Sequence, residues 1–188
     1  MTKLFKTLLG LWVTNPSLPI GNRVFELLSR FIWQLPQTLV GLLAAMGTIV
    51  FKKTKSVQYS YGCTIIKVNG KWGAFTLGSF IIGDEGLSIA PSNSLFQHEY
   101  GHYLQSQSRG PLYIFKYAIP SLLDVAKDKT NHYKHPVEQD ANKRAKRYWD
   151  KTIGTAPDFN FDGWNYSSNP ILTYSTLSKK ISKKNLPQ

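Results

Sequence analysis

The chain predicts an α+β domain: a small mixed or antiparallel sheet, a helix bearing a charged motif, and helices at the N-terminus. Three observations predict it. Residues 57–82 are rich in Tyr, Thr, Ile and Val and are divided by Asn69-Gly70, a strong hairpin dipeptide. Apolar residues recur at helical spacing on both sides of that stretch. Beyond the strands lies Phe96-Gln97-His98-Glu99-Tyr100-Gly101-His102-Tyr103, whose His-Glu-x-x-His core acquires its meaning only on a helix.

At 188 residues the chain is sized for one domain with a real core, and 42% hydrophobic content argues against bulk disorder. Its organisation reads as a helical N-terminal element over residues 1–56, packed on or preceding the domain. A metal-binding domain follows over 57–175, then a basic tail over 176–188. The lone cysteine, Cys63, excludes an intrachain disulfide framework and a cysteine-based zinc cluster. The net charge of +12 is uneven: residues 1–56 carry seven Lys/Arg and one acid, 57–128 five of each, and 129–188 eleven Lys/Arg and five acids. The middle third is neutral between basic flanks. No zinc finger, RNP-like strand or Arg-aromatic stripe is present, so nucleic acid is not an expected partner. Solvated basic surface is the default, with an anionic membrane surface the next candidate.

Taken in order, Leu4, Phe5, Leu8, Leu9 and Trp12 mark a first helix, stopped by Asn15-Pro16-Ser17-Leu18-Pro19. Val24, Phe25, Leu27, Leu28 and Phe31 mark a second. No small-residue cleavage site follows the first apolar run, so no signal peptide is assigned. Residues 31–51 are uncharged, but Gln34, Pro36, Gln37 and Thr38 interrupt them. Pro36 opens a helix whose apolar part, residues 39–50, has the length of a core helix rather than a membrane span. Gly41, Ala44, Ala45 and Gly47 predict close packing. Residues 57–68 read as one strand, Asn69-Gly70 as a hairpin turn, and residues 72–82 as the returning strand. Gly73 and Gly78 there mark a bulge or a backbone approach. Gly83-Asp84-Glu85-Gly86 is a turn, and residues 87–89 are extended. Ser92 or Ser94 caps the motif helix, which stops near Arg109-Gly110-Pro111. Residues 112–123 form a broken helix or buried loop around Pro120, and Pro136 opens a helix reaching Trp149.

On a helix, residues four apart share a face, so His98 and His102 can direct ring nitrogens at one metal ion. Glu99 is one step round and can serve as a base beside the metal. A catalytic zinc usually takes three protein ligands and keeps one open position. The zinc-hydrolase class with a third His six residues after the second is excluded, since position 105 is Gln and position 108 is Ser. A glutamate on a later helix completes the other common class. Glu138 is the only glutamate after Glu99, in the first turn of a predicted helix, with Ala141 and Asn142 on its face. Ala141 would let two helices approach, and the Asn142 amide could bond a ligand. His132 and His135 compete, either as third ligand or, with Tyr113 and Tyr133, as donors to an oxyanion. Asp140 or Asp124 could orient a ligand histidine.

His98-Glu99-x-x-His102 followed by a distant helical Glu138 resembles the zincin metallopeptidases, in particular the glutamate-ligand gluzincins. The resemblance implies a zincin-like fold with an active-site helix, Zn2+ held by His98, His102 and Glu138, Glu99 as general base, and a peptide or protein substrate. It also implies that residues 72–82 form the edge strand along which substrate lies antiparallel. The chain departs from many gluzincins in carrying Asn142 where they have Asp, and in a longer helix spacing. A further set of segments is similar to zincin-like domains at the C-terminal ends of bacterial Rhs-repeat toxins. These are Trp33-Gln34-Leu35-Pro36-Gln37-Thr38-Leu39, Gly73-Ala74-Phe75-Thr76-Leu77-Gly78, Asn93-Ser94-Leu95-Phe96-Gln97-His98-Glu99-Tyr100-Gly101-His102 and the stretch Gln105–Leu112. That similarity spans residues 30–175 and implies a secreted or surface toxin-type peptidase. Asp158-Phe159-Asn160-Phe161-Asp162-Gly163 matches half a calcium loop, but position twelve would be Asn169 rather than Glu, so an aromatic-packed turn is expected. The expected function is zinc-dependent peptide hydrolysis. The rivals are a zincin fold used only for binding, and a membrane-associated protein organised around residues 31–51.

Overall fold

The computed structural model describes residues 1–90, 93–127 and 131–152. Among these are six α-helices and a four-stranded mixed sheet. The calcium-like loop at 158–163 and the basic tail lie outside the described residues.

Helix α1 (Lys3–Leu9) is capped by the Thr2 hydroxyl, which accepts the Phe5 N–H, and a 3-10 turn (Gly10–Trp12) ends it. Helices α2 (Ile20–Phe31) and α3 (Leu35–Val50) follow, with Pro36 in the first turn of α3 where its missing N–H costs nothing. The sheet comprises β1 (Thr54–Ser60), β2 (Cys63–Val68), β3 (Ala74–Leu77) and β4 (Phe80–Gly83), in the order β1-β2-β4-β3.

The strands differ from expectation. Residues 57–68 are not one strand: they turn back at Tyr61-Gly62, where φ is 48° and 80°, the conformation of a two-residue hairpin. Residues 72–82 likewise fold at Gly78-Ser79, with Gly78 at φ 58°. Asn69-Gly70 does not make the expected hairpin. The chain leaving β2 is drawn past β4, which then pairs with β2 in parallel. The Asp84 carboxylate enforces this path by accepting the N–H groups of Trp72 (2.5 Å) and Gly73 (2.7 Å), pinning the loop to the exit of β4. Residues 87–89 lie outside the sheet.

Alternation along the strands sends side chains to two cores. Cys63, Ile65 and Ile81 point one way, against Phe96, Tyr100 and Tyr103 of α4 (Ser94–Arg109) and Ala145 and Trp149 of α6 (Pro136–Thr152). Ile66, Val68, Phe80 and Ile82 point the other way, towards Ala45 of α3. The approach of α3 is close: a Cβ at Gly41 would lie 2.3 Å from the Leu77 carbonyl oxygen, and one at Gly78 2.7 Å from the Thr38 Cα.

Helix α3 is nevertheless not enclosed as a core helix. It buries Gln37, Thr38, Gly41 and Ala45 and exposes Leu39, Val40, Leu43 and Val50. Gly41 and Ala45 meet the sheet because only small residues permit that distance. No single helix among the described residues is long and apolar enough to cross a membrane. Together α2 and α3 have the length and composition, but they are bent by 77°. Polar groups fasten both helices to α4, and α2 also to the β1–β2 turn. Glu26 accepts the Tyr103 hydroxyl, Gln37 donates to Ser106 (3.2 Å) and to the Gly110 carbonyl (2.9 Å), and Arg30 donates to the Gly62 carbonyl on the β1–β2 turn.

Candidate metal centre

Helix α4 is capped by Asn93, whose side-chain oxygen accepts the Phe96 N–H at 2.9 Å; Ser94 is the first helical residue and Ser92 lies outside the described residues. The helix runs to Arg109 and stops at Gly110, where φ is 54°. A short 3-10 turn (Gly110–Leu112), a π-helical turn (Ile114–Ala118) and α5 (Ile119–Lys127) follow, so residues 112–123 are a broken helix. Another 3-10 turn (His132–Lys134) leads into α6.

Helix α6 crosses α4 at Gly101, where a Cβ would stand 2.1 Å from the Ala141 carbonyl oxygen. That contact brings Glu138 over His98 and His102, the i and i+4 positions of one face of α4. Glu138 Oε2 is 3.1 Å from the Nε2 atoms of both histidines, and those atoms are 3.2 Å apart. All three residues are buried. Ligand atoms about 2.0–2.1 Å from a tetrahedral ion lie roughly 3.3 Å from each other. The three observed separations are close to that value.

The outer nitrogens explain why the inner ones are available. His102 Nδ1 is 2.8 Å from Gln105 Oε1, and the Gln105 amide donates to the Val137 carbonyl (2.8 Å) and to Asp140 Oδ2 (3.0 Å). Those two acceptors fix the amide with its oxygen towards His102. His102 therefore carries its proton on Nδ1 and turns the Nε2 lone pair inward. His98 Nδ1 lies 2.7 Å from Asn142 Oδ1 and is held the same way. Two ring lone pairs and a carboxylate facing one point in a buried space repel one another unless a cation or proton lies between them. Burial pushes the His102 imidazole down, but Glu138 outweighs it and raises it to about 9. Burial pushes Glu138 up, yet His102 and His98 hold it well below the usual carboxylate range. The other carboxylate oxygen, Oε1, is buried without a hydrogen-bond partner. This buried His-His-Glu cluster has the donor set and spacing to bind a metal ion.

Glu99 is buried beside the cluster and outside it. The Thr76 hydroxyl on β3 is 2.6 Å from Glu99 Oε2 and 3.0 Å from its carbonyl oxygen. The Tyr113 hydroxyl donates to the Thr76 carbonyl at 3.0 Å, and burial together with Glu99 and Glu138 raises its pKa, so it remains a neutral phenol. His132 stands at the rim: its Nδ1 is 2.8 Å from Asp124 Oδ2 and its Nε2 3.4 Å from Glu138 Oε1.

The remaining sequence candidates are placed elsewhere. His135 Nδ1 accepts the Val137 N–H at 3.3 Å at the start of α6, outside the cluster. The Tyr133 carbonyl accepts the Gln139 amide. Neither Asp140 nor Asp124 bonds a clustered histidine: Asp140 holds Gln105 and Arg144 (2.7 Å), and Asp124 holds His132. Three residues escape a reading of the sequence alone. Gln105 and Gly101 carried a faint signal, one a turn beyond His102 and the other a glycine inside the motif helix. Thr76, on a strand far away in sequence, carried none. No protein-family model, curated protein or solved structure matches the chain.

Proposed function

We propose that the protein is a zinc-dependent peptidase with a zincin-like, glutamate-ligand centre: His98, His102 and Glu138 as ligands and Glu99 as general base. The observation that carries this is the convergence of two Nε2 lone pairs and one carboxylate oxygen at 3.1–3.2 Å with an independent carboxylate alongside. Two imidazoles and a carboxylate suit zinc, and three protein ligands leave a position for water or substrate, as catalytic rather than structural sites do. A zinc ion there would supply a water acidified towards about 7 and polarisation of a carbonyl.

The chain supplies the rest. Glu99 takes the proton of the attacking water and returns it to the leaving amine, the two-way transfer expected of a buried carboxylate at such a centre. Thr76 holds one Glu99 oxygen and leaves the other for the proton. His132, anchored by Asp124, is the positioned side chain best able to donate to an oxyanion. Strand β3 is an edge strand beside α4, but the Tyr113 hydroxyl already occupies the Thr76 carbonyl, so an extended peptide or protein segment would pair chiefly at the Ala74 end, a shorter edge than the 72–82 implied by resemblance.

The test is metal content of the full chain by elemental analysis, together with hydrolysis of an unfolded protein by wild type and Glu99→Ala. The proposal expects about one zinc per chain in both, and hydrolysis in wild type only. If wild type binds zinc yet hydrolyses no faster than Glu99→Ala, the centre is a metal-binding module and the peptidase reading ends.

A further inference from the structure

The N-terminal helices are amphipathic in the opposite sense from those of most globular proteins. Helix α2 buries Glu26, Ser29 and Arg30, while Ile20 and Phe25 are 78% and 75% exposed. Helix α3 buries Gln37 and Thr38, while Leu43 and Val50 are 67% and 72% exposed. The inward polarity is organised: Glu26, Arg30 and Gln37 bond to Tyr103, Gly62 and Ser106 respectively. Reversing either helix would break those bonds, so the apolar faces are held outward.

Exposed apolar side chains occur beyond these helices too. Trp33, at the corner between α2 and α3, packs on Gly110, where a Cβ would come within 2.3 Å of its ring. From there the chain enters the π-helical turn and α5, which expose Phe115, Leu122 and Leu123. Helix α5 also carries Asp124, which holds His132 beside Glu138. Exposed apolar side chains therefore lie both on the N-terminal helices and on α5, the helix whose Asp124 holds His132 at the metal centre. Contiguous apolar surface beyond a few hundred Å2 is rare on soluble monomers and marks a partner or a lipid surface.

Charge selects between these. The only acid in residues 1–56 is the buried Glu26, so every exposed charge on that element is positive. Lys52 and Lys53 directly follow the exposed Phe51 at the end of α3, and Lys6 and Arg23 lie on α1 and α2. Outward apolar faces, half-exposed tryptophans and basic residues without acids are the composition of an interfacial element on anionic lipid. A protein interface would instead be depleted in lysine. The bend of 77° between α2 and α3 suits helices lying in the headgroup layer rather than crossing it.

We infer that the outward faces of α2, α3 and residues 115–123 seat in the interfacial layer of an anionic bilayer, holding the metal centre at the membrane surface. This stands independently of whether the centre is catalytic.

The experiment is flotation of the full chain with vesicles of two parts phosphatidylcholine to one part phosphatidylglycerol, and with pure phosphatidylcholine. Wild type is expected to float with the anionic vesicles and to bind them less as salt rises. Phe25→Asp/Leu43→Asp, both at exposed positions, should weaken partitioning at least ~100-fold with unchanged far-UV circular dichroism and metal content. Lys52→Glu/Lys53→Glu should remove the preference for the anionic vesicles. Wild type left at the bottom of the gradient would overturn the inference. Equal flotation of the Phe25/Leu43 double substitution would do so too. A lipid-free dimer broken by those same substitutions, without flotation, would assign the face to a second copy instead.

Discussion

Replacing Gly101 by alanine perturbs the metal centre without touching a ligand. An alanine Cβ would stand 2.1 Å from the Ala141 carbonyl oxygen and 2.6 Å from its carbonyl carbon. Carbon and oxygen make close contact at about 3.3 Å, so α6 must retreat by about 1 Å. Glu138 lies one turn before Ala141 and Asn142 directly after it, so the third ligand and the partner of His98 move together. Metal sites tolerate ligand displacements of only about 0.2 Å, and a 1 Å misplacement of a working group typically costs about 100-fold. Overpacking costs about 1–3 kcal/mol, partly offset by the roughly 1 kcal/mol that alanine gains over glycine within a helix. Gly101→Ala should therefore fold, lose at most about 2 kcal/mol of stability in the chelator-treated protein, and bind zinc at least ~100-fold more weakly. Competition against a chromophoric chelator measures the affinity, and denaturant titration the stability. Gly47→Ala is the control: a Cβ there meets nothing within 4 Å, so zinc affinity should be unchanged. A folded Gly101→Ala protein with wild-type affinity would refute the claim that the α4–α6 crossing sets the centre.

Other perturbations read out single groups. Because Glu138 raises His102 to about 9, zinc must displace a proton below that pH; binding should release about one proton per ion, and affinity should climb roughly tenfold per pH unit towards 9. The same shift fixes the pH profile of the metal-free protein. His102's raised value gives stabilisation fully present below its ordinary 6.5 and lost as pH rises through about 9, whereas Glu138's lowered value gives stabilisation lost as pH falls below its ordinary 4.5. Thermal stability after chelation should thus peak between these ordinary values, and a flat profile would count against the coupling. Gln105→Ala removes the acceptor that orients His102 and should weaken zinc binding about 10- to 100-fold in the chelator competition. His132→Ala should leave one zinc per chain and lower the turnover of peptide hydrolysis about 10- to 1000-fold; a change confined to KM would remove His132 from the oxyanion role.

How much of this was legible in the sequence depended on how local each signal was. His98 and His102 share a helix, so their common face follows from spacing alone. Glu138 could be singled out because no other glutamate follows the motif. Asn142 was visible as the residue one turn beyond Glu138, and the structure gives it His98. Asp140, two residues before it, was an equally reasonable partner on composition; the helix phase directs it to Gln105 instead. The sheet was less legible. Asn69-Gly70 is a strong turn signal, but the turns that reverse the chain are Tyr61-Gly62 and Gly78-Ser79, and the parallel pairing of β2 with β4 is set by contacts distant in sequence. Hydropathy marked residues 39–50 as apolar but could not say that the helix buries Gln37 and Thr38 and turns its leucines outward.

Everything proposed for this protein's chemistry requires that His98, His102 and Glu138 hold one zinc ion and leave a position open. X-ray absorption at the zinc edge of the loaded full chain reads that arrangement. The expected spectrum is a four-coordinate light-atom shell containing two imidazoles at about 2.0–2.1 Å, with one imidazole lost in His102→Ala. A sulfur neighbour at about 2.3 Å, or an all-oxygen shell unchanged by that substitution, would contradict it.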